Sequence, residues 1–281
     1  MGTKARLLSA EALSRSLTRP QVPAPPPWLM RQRFRVTSHV SHGMPMVVVA
    51  PRSRASHHQV LYLHGGAYVH EVTGPHWRLI QGLVQRTGAT VHVPTYPLAP
   101  RHTWASAFPP LRALARDMVA ANGAAWTFMG DSAGGGLALA LAQEMRNAAE
   151  SLPGRIVLLS PWLDVATDHP DQAAYAGKDR LLAAPGLQWA GRQWAGQLPL
   201  DDPRISPLHG SLVGLPAIAV LAGTSDLLYV DALRLQDIAA RSGHPVQFMS
   251  YPDMFHVWMA APIPEAEQAL NDVASFVCAA S

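Results

Sequence analysis

Short apolar runs alternate with helical stretches along most of this chain. Val60-Leu61-Tyr62-Leu63, Trp126-Thr127-Phe128-Met129, Arg155-Ile156-Val157-Leu158-Leu159 and Ala217-Ile218-Ala219-Val220-Leu221 are nearly continuous apolar runs. Phe34-Arg35-Val36, Met46-Val47-Val48-Val49, Ala89-Thr90-Val91-His92-Val93 and Val246-Gln247-Phe248-Met249-Ser250-Tyr251 add further strands. Between them, residues 77–86, 111–121, 137–146, 229–241 and 266–278 read as helices. Strands that are apolar on both faces and alternate with helices predict a mostly parallel sheet covered on both sides, an α/β architecture.

Two stretches break the alternation. Residues 20–27 hold five prolines and read as a linker, because proline ends a helix. Before it, Leu7, Leu13 and Leu17 line one face of a short helix. That helix covers an active site or touches a membrane, or simply packs on the body. Residues 165–204, rich in Trp, Gly and Pro, sit between two core strands. Joined in space to the N-terminal segment, they would cap the strand ends. The expected division is an N-terminal cap segment (1–35), a first core part (36–164), a cap insertion (165–204) and a second core part (205–281).

Composition narrows the function. The chain has 281 residues, 48% of them hydrophobic, enough for a large core. Its net charge of +3 comes from scattered Lys and Arg without a basic stripe, which argues against a nucleic-acid partner. The single cysteine, Cys278, permits no disulfide framework within one chain and suggests a reducing, cytoplasmic compartment. Lys4 and Arg6 are followed by no apolar run, so neither a signal peptide nor a stable membrane anchor is expected.

The chemistry centres on Gly130-Asp131-Ser132-Ala133-Gly134, set between a predicted strand and a predicted helix. A sharp strand-to-helix turn of the form G-x-S-x-G projects the serine hydroxyl free of the backbone. A serine needs a base and an orienting acid to attack. Sites on such turns order them as serine, acid, histidine. Asp226, in Gly223-Thr224-Ser225-Asp226, follows a core strand and is the candidate acid; Asp231, inside the next helix, is the runner-up. His256, after the last strand, is the candidate base, with His244 relegated to a surface turn.

A developing oxyanion needs fixed N–H donors. Gly65 and Gly66, in His64-Gly65-Gly66-Ala67-Tyr68, and Ala133 are the candidates, against the plain reading of a glycine turn. His57, His58, His64, His70 and His76 lack a ligand spacing, so no metal is expected. Trp28, Trp77, Trp162, Trp189 and Trp194 are candidates to line an acyl pocket, although core packing is the commoner fate of tryptophan.

These motifs, with Tyr96-Pro97-Leu98-Ala99-Pro100, Ser160-Pro161-Trp162-Leu163-Asp164 and Asp202-Pro203-Arg204-Ile205-Ser206-Pro207-Leu208, resemble the hormone-sensitive-lipase-like carboxylesterases of the α/β-hydrolase fold. The resemblance runs from about residue 60 to the end. It implies Ser132 as nucleophile, Asp226 as acid, His256 as base, and Gly65, Gly66 and Ala133 as oxyanion donors. It further implies a two-part cap, short- to medium-chain ester substrates, no cofactor, and either a monomer or a homodimer paired through the edge strand at 246–251. Two departures stand out: Ala67 where the family often has a third glycine, and Leu227 where proline commonly follows the acid. Both are expected to be mild, the first because alanine fits most turns short of positive φ. Rival readings are an amidase or deacetylase with the same triad, and a non-catalytic ligand-binding member of the fold.

Overall fold

The computed structural model describes residues 3–18, 21–53, 55–120 and 122–279. Eight strands form one sheet: β1 (Phe34–Ser41), β2 (Met44–Pro51), β3 (Gln59–Leu63), β4 (Thr90–Pro94), β5 (Trp126–Asp131), β6 (Arg155–Leu159), β7 (Ala217–Gly223) and β8 (Val246–Tyr251). Their order is β1-β2-β4-β3-β5-β6-β7-β8. β2 pairs antiparallel with both β1 and β4, and the remaining pairs are parallel. The helices are α1 (Thr3–Leu7), α2 (Ala10–Ser16), α3 (Trp28–Arg33), α4 (Gly74–Thr87), α5 (Trp104–Val119), α6 (Ala133–Asn147), α7 (Ala173–Ala176), α8 (Ala184–Ala195), α9 (Tyr229–Ser242) and α10 (Pro264–Cys278). None of them is long and apolar enough to cross a membrane.

Strand side chains alternate between two cores, as the pleat requires. Leu61, Leu63, Phe128, Ile156, Leu158 and Val220 face one cluster with α5, α6 and α9. Val60, Tyr62, Met129, Val157, Leu159 and Leu221 face the other with α4 and α10. Both faces are buried, which is why these strands read as unbroken apolar runs.

The expected helix at 111–121 begins earlier, at Trp104, and runs through Pro109 and Pro110 to Val119. Proline removes the N–H that the carbonyls of Ala105 and Ser106 would use. Both residues are exposed, so water can take that place. Ala121 lies outside the described residues.

The N-terminal leucines sit on two helices rather than one. The first helix ends at Leu7, and the Ser9 side chain caps α2 by accepting the Ala12 N–H at 3.1 Å. Leu7 and Leu13 are buried, and α1 and α2 both pack on α8. Gly186 permits that approach: a Cβ there would stand 2.6 Å from Leu7 Cα. In the proline-rich run Pro20 lies outside the described residues. Further along, the Ala24 N–H donates to Val72 O at 2.9 Å and Trp77 Nε1 donates to Ala24 O at 2.7 Å.

The sheet order reverses at β3: β4 lies on one side of it and β5 on the other. Ligand sites in open parallel sheets form at such a switch point, beyond the carboxyl ends of the strands. The glycine loop follows β3 and Ser132 follows β5, so both stand at that crevice.

Candidate active site

Ser132 joins β5 to α6 at φ 52° and ψ −122°, a strained conformation for any residue with a side chain. The corner is fastened on both sides. Ser132 N–H donates to Leu159 O at 2.9 Å, and Ser132 O accepts the Trp162 N–H at 2.9 Å. Gly130 and Gly134 are required by contact: Cβ atoms there would lie 2.2 Å from Gly134 O and 1.9 Å from Leu63 O. The Ser132 hydroxyl has no hydrogen-bond partner among the described residues.

Asp226 and His256 meet as the sequence suggests. His256 Nδ1 lies 2.8 Å from Asp226 Oδ2, while Asp226 Oδ1 accepts the Leu228 N–H at 2.8 Å. With Nδ1–H committed to the carboxylate, Nε2 is the ring nitrogen that can take a proton. Burial opposes charge on His256, but Asp226 outweighs it, with Asp179 and Asp131 adding to it, so the imidazole is held above its usual range. The loops carrying the pair are stitched together: the Ser225 N–H donates to Met254 O at 3.0 Å and the Asp253 N–H to Thr224 Oγ1 at 2.8 Å. Val257 N–H donates to Ser160 Oγ at 3.1 Å, tying the base's loop to β6. Asp231 is buried in α9, where its Oδ2 accepts the N–H groups of Leu163 and Asp164. His244 bonds Pro216 O, away from the site.

The glycine loop brings a correction. Gly65 cannot offer its N–H to a substrate, because it donates to Asp131 Oδ1 at 3.0 Å. The next two amides, of Gly66 and Ala67, have no partner among the described residues. Gly66 takes φ 118°, and a Cβ there would stand 2.6 Å from His70 O. Ala67 adopts φ 54°, so its departure from glycine is not mild: an alanine occupies a left-handed position. The Ala133 N–H opens α6, where no intrahelical acceptor exists.

Asp131 organises this corner. It accepts from the Tyr62 hydroxyl and the Gly65 N–H, and His76 Nε2 lies 3.4 Å from its Oδ2. Burial pushes its carboxyl up, yet the His76 charge and these hydrogen bonds prevail and hold it at about 2. His64 is buried, and burial followed by the neighbouring His76 pushes its imidazole down to about 4. It pairs with Gly65 O at 2.8 Å and stacks on Tyr96 at 4.5 Å, which fixes the loop. Sequence reading passed over Asp131 and His76; the first sat inside the serine motif, the second inside the histidine cluster.

Ser132 and His256 open on one cavity of about 690 Å³. Its apolar wall includes Leu7, Val22, Leu181, Leu182 and Leu187, and Arg6, His70, Glu71 and Arg78 add polar groups. Among the described residues no tryptophan lines it, so of the two readings core packing applies to Trp162 and Trp194. Trp162 and Trp194 are instead buried against Tyr68, with Trp194 stacked at 4.3 Å.

Known proteins share this fold. A family model described as the alpha/beta hydrolase fold matches residues 60–260. A triacylglycerol lipase of Mycobacterium tuberculosis is 35% identical over 84% of this chain, which spans 50% of that protein's length. An acetyl-hydrolase of Streptomyces hygroscopicus is 35% identical over 78% of this chain and 74% of its own length. A Staphylococcus aureus crystal structure superposes with a TM-score of 0.91 at 23% identity, covering 99% of this chain and 96% of that one. An esterase structure from the bacterial hormone-sensitive lipase family gives 0.82 at 26% identity, covering 95% and 89%. With its switch-point crevice, its serine corner and these relatives, the chain belongs to the α/β-hydrolase family, in its hormone-sensitive-lipase-like branch.

Proposed function

We propose that this chain is a serine carboxylesterase acting on short- to medium-chain esters through Ser132, His256 and Asp226. The observation that carries the reading is the 2.8 Å His256–Asp226 pair opening on the same cavity as Ser132. His256 Nε2 takes the Ser132 proton as Oγ attacks the ester carbonyl. The tetrahedral oxyanion is met by the N–H groups of Gly66, Ala67 and Ala133, with Ala67 in the place first given to Gly65. His256 then protonates the departing alcohol and an acyl-enzyme remains. Water, deprotonated by His256, releases the acid, while Asp226 orients the imidazole and stabilises its charged form. No step calls for a cofactor.

The cap in this reading comprises residues 1–35 and 165–204, whose Leu7, Leu181, Leu182 and Leu187 form the apolar wall. A narrower reading, a deacetylase, has support in the acetyl-hydrolase relative and the polar residues on the wall. Hydrolysis of p-nitrophenyl esters from acetate to palmitate, by wild type and Ser132→Ala, separates these. Turnover that peaks at short or medium acyl chains and falls on the order of 10⁶-fold in the variant supports the esterase. Acetate alone supports the narrower reading, and turnover that survives in Ser132→Ala rejects both.

A further inference from the structure

Asp179 lies in the loop between α7 and α8 and is 1% exposed. No lysine, arginine or histidine side chain is within ion-pair distance of its carboxylate among the described residues. A buried carboxylate without a countercharge is expensive unless hydrogen bonds hold it. Here three backbone N–H groups do so. Oδ1 accepts from Leu181 and Leu182, each at 2.7 Å, and Oδ2 accepts from Leu227 at 2.7 Å. Its backbone is also held: the Asp179 N–H donates to Tyr175 O at 2.9 Å, and Lys4 Nζ of α1 donates to Asp179 O.

Leu227 immediately follows Asp226, and its N–H is available only because this position is not proline. The turn itself would admit proline. The Tyr229 N–H donates to Asp226 O at 3.1 Å, and Leu228 sits at φ −84° and ψ 1°. That is a type I turn with Leu227 at its second position, where proline is favoured. A leucine here thus supplies a donor that proline would remove, and Asp179 takes it.

We infer that Asp179 is a positioning residue, a second carboxylate that ties the insertion to the acid's turn and supports His256 when it takes a proton. The inference rests on the Ser132–His256–Asp226 reading. One oxygen of Asp179 fixes the backbone beside Asp226, and the other fixes Leu181 and Leu182 on the cavity wall. The charges that bear on His256 are Asp226, Asp179 and Asp131, and all three favour its protonated form. An amide cannot replace the carboxylate, because it accepts on one side only. Asp179→Asn therefore forfeits either the Leu227 bond or the Leu181 and Leu182 bonds.

Two variants separate the roles: Asp179→Asn removes the charge and one acceptor, and Leu227→Pro removes the tether while keeping the charge. Two readouts are taken, kcat and KM on p-nitrophenyl acetate, and the pH titration of the His256 imidazole by proton NMR. In Asp179→Asn the His256 titration should move down by on the order of half a pH unit or more. Its kcat should fall about tenfold, as the turn that carries Asp226 loses its tether. In Leu227→Pro kcat should fall several-fold, with the titration unmoved. A folded Asp179→Asn enzyme with wild-type kcat and an unshifted His256 overturns the inference. Should that variant not fold, wild-type kcat in Leu227→Pro overturns it. The NMR titration needs no turnover, so failure of the esterase reading shows separately, as wild-type turnover that is absent or indifferent to Ser132.

Discussion

The Gly65 N–H points at Asp131 Oδ1, 3.0 Å away, and this bond decides which amides of the glycine loop are left for chemistry. It closes the gap between the ends of β3 and β5 and leaves Gly66 and Ala67 facing the cavity. Substitutions at the two flanking positions should therefore act in opposite directions. In Gly65→Ala the new Cβ would stand 2.2 Å from Asp131 Oδ2 and 3.0 Å from Ser132 Cβ. It should cost about 2 kcal/mol of stability and abolish turnover. Ala67→Gly relieves a left-handed alanine and should stabilise the protein by about 0.5–1 kcal/mol. Thermal unfolding of both variants checks the pair of signs.

Asp131 should also govern acid stability. Its carboxyl is held at about 2, below the ordinary 3.8, so its contribution is fully present above the unfolded value. That contribution is lost as pH falls from about 4 through about 2, and amounts to on the order of 2 kcal/mol. Asp131→Asn should flatten this part of the profile. It should also lower stability at neutral pH, because three donors then face an amide. Urea unfolding of both proteins between pH 2 and 7, roughly, measures the difference.

The rate should follow the protonation of His256. Asp226 holds the imidazole above its usual 6.5 against the effect of burial, and only the neutral ring can accept the serine proton. In the wild type kcat/KM should therefore rise with pH to a plateau, with its midpoint above 6.5. Asp226→Asn should move that midpoint down and reduce kcat on the order of 10⁴-fold, since an amide no longer fixes the tautomer. A midpoint that stays in place in the variant would detach Asp226 from the base.

The contact of Gly186 with Leu7 predicts how the N-terminal helices are held. Gly186→Val drives a side chain into the backbone of Leu7, where even a Cβ comes within 2.7 Å of Leu7 O. The variant should release α1 and α2 from α8 while the sheet stays folded. Limited proteolysis near residues 3–18 should then speed up, and the acyl-chain preference should broaden as Leu7 leaves the cavity wall.

Much of this was legible in the sequence, for physical reasons. β6 and β8 match the expected runs because strands covered on both faces, or pinned between turn residues, leave a continuous signal. The meeting of Asp226 with His256 was legible because each follows a strand at the end where such sites gather. The start of α5 was hidden by Pro109 and Pro110, which look like a helix boundary and are tolerated where the affected carbonyls are exposed. The task of Gly65 was not legible, because its partner Asp131 lies 66 positions away and only the β3–β5 pairing brings them together. Nor was Asp179: an isolated carboxylate in a loop carries no motif, and its meaning comes from the three N–H groups that converge on it. The tryptophans stayed ambiguous because large apolar rings suit a pocket wall and a core equally well; here Trp162 and Trp194 went into the core beneath the serine corner, Trp77 into the opposite core, and Trp28 stayed exposed.

Covalent labelling by diethyl p-nitrophenyl phosphate, located by peptide mass spectrometry, tests the nucleophile most directly. The phosphoryl group should be found on Ser132 alone, with one p-nitrophenolate released per chain and activity lost in step. Ser132→Ala should take no label, and Asp226→Asn should take it slowly. Inactivation with the adduct on another residue and Ser132 unmodified would contradict the triad assigned here.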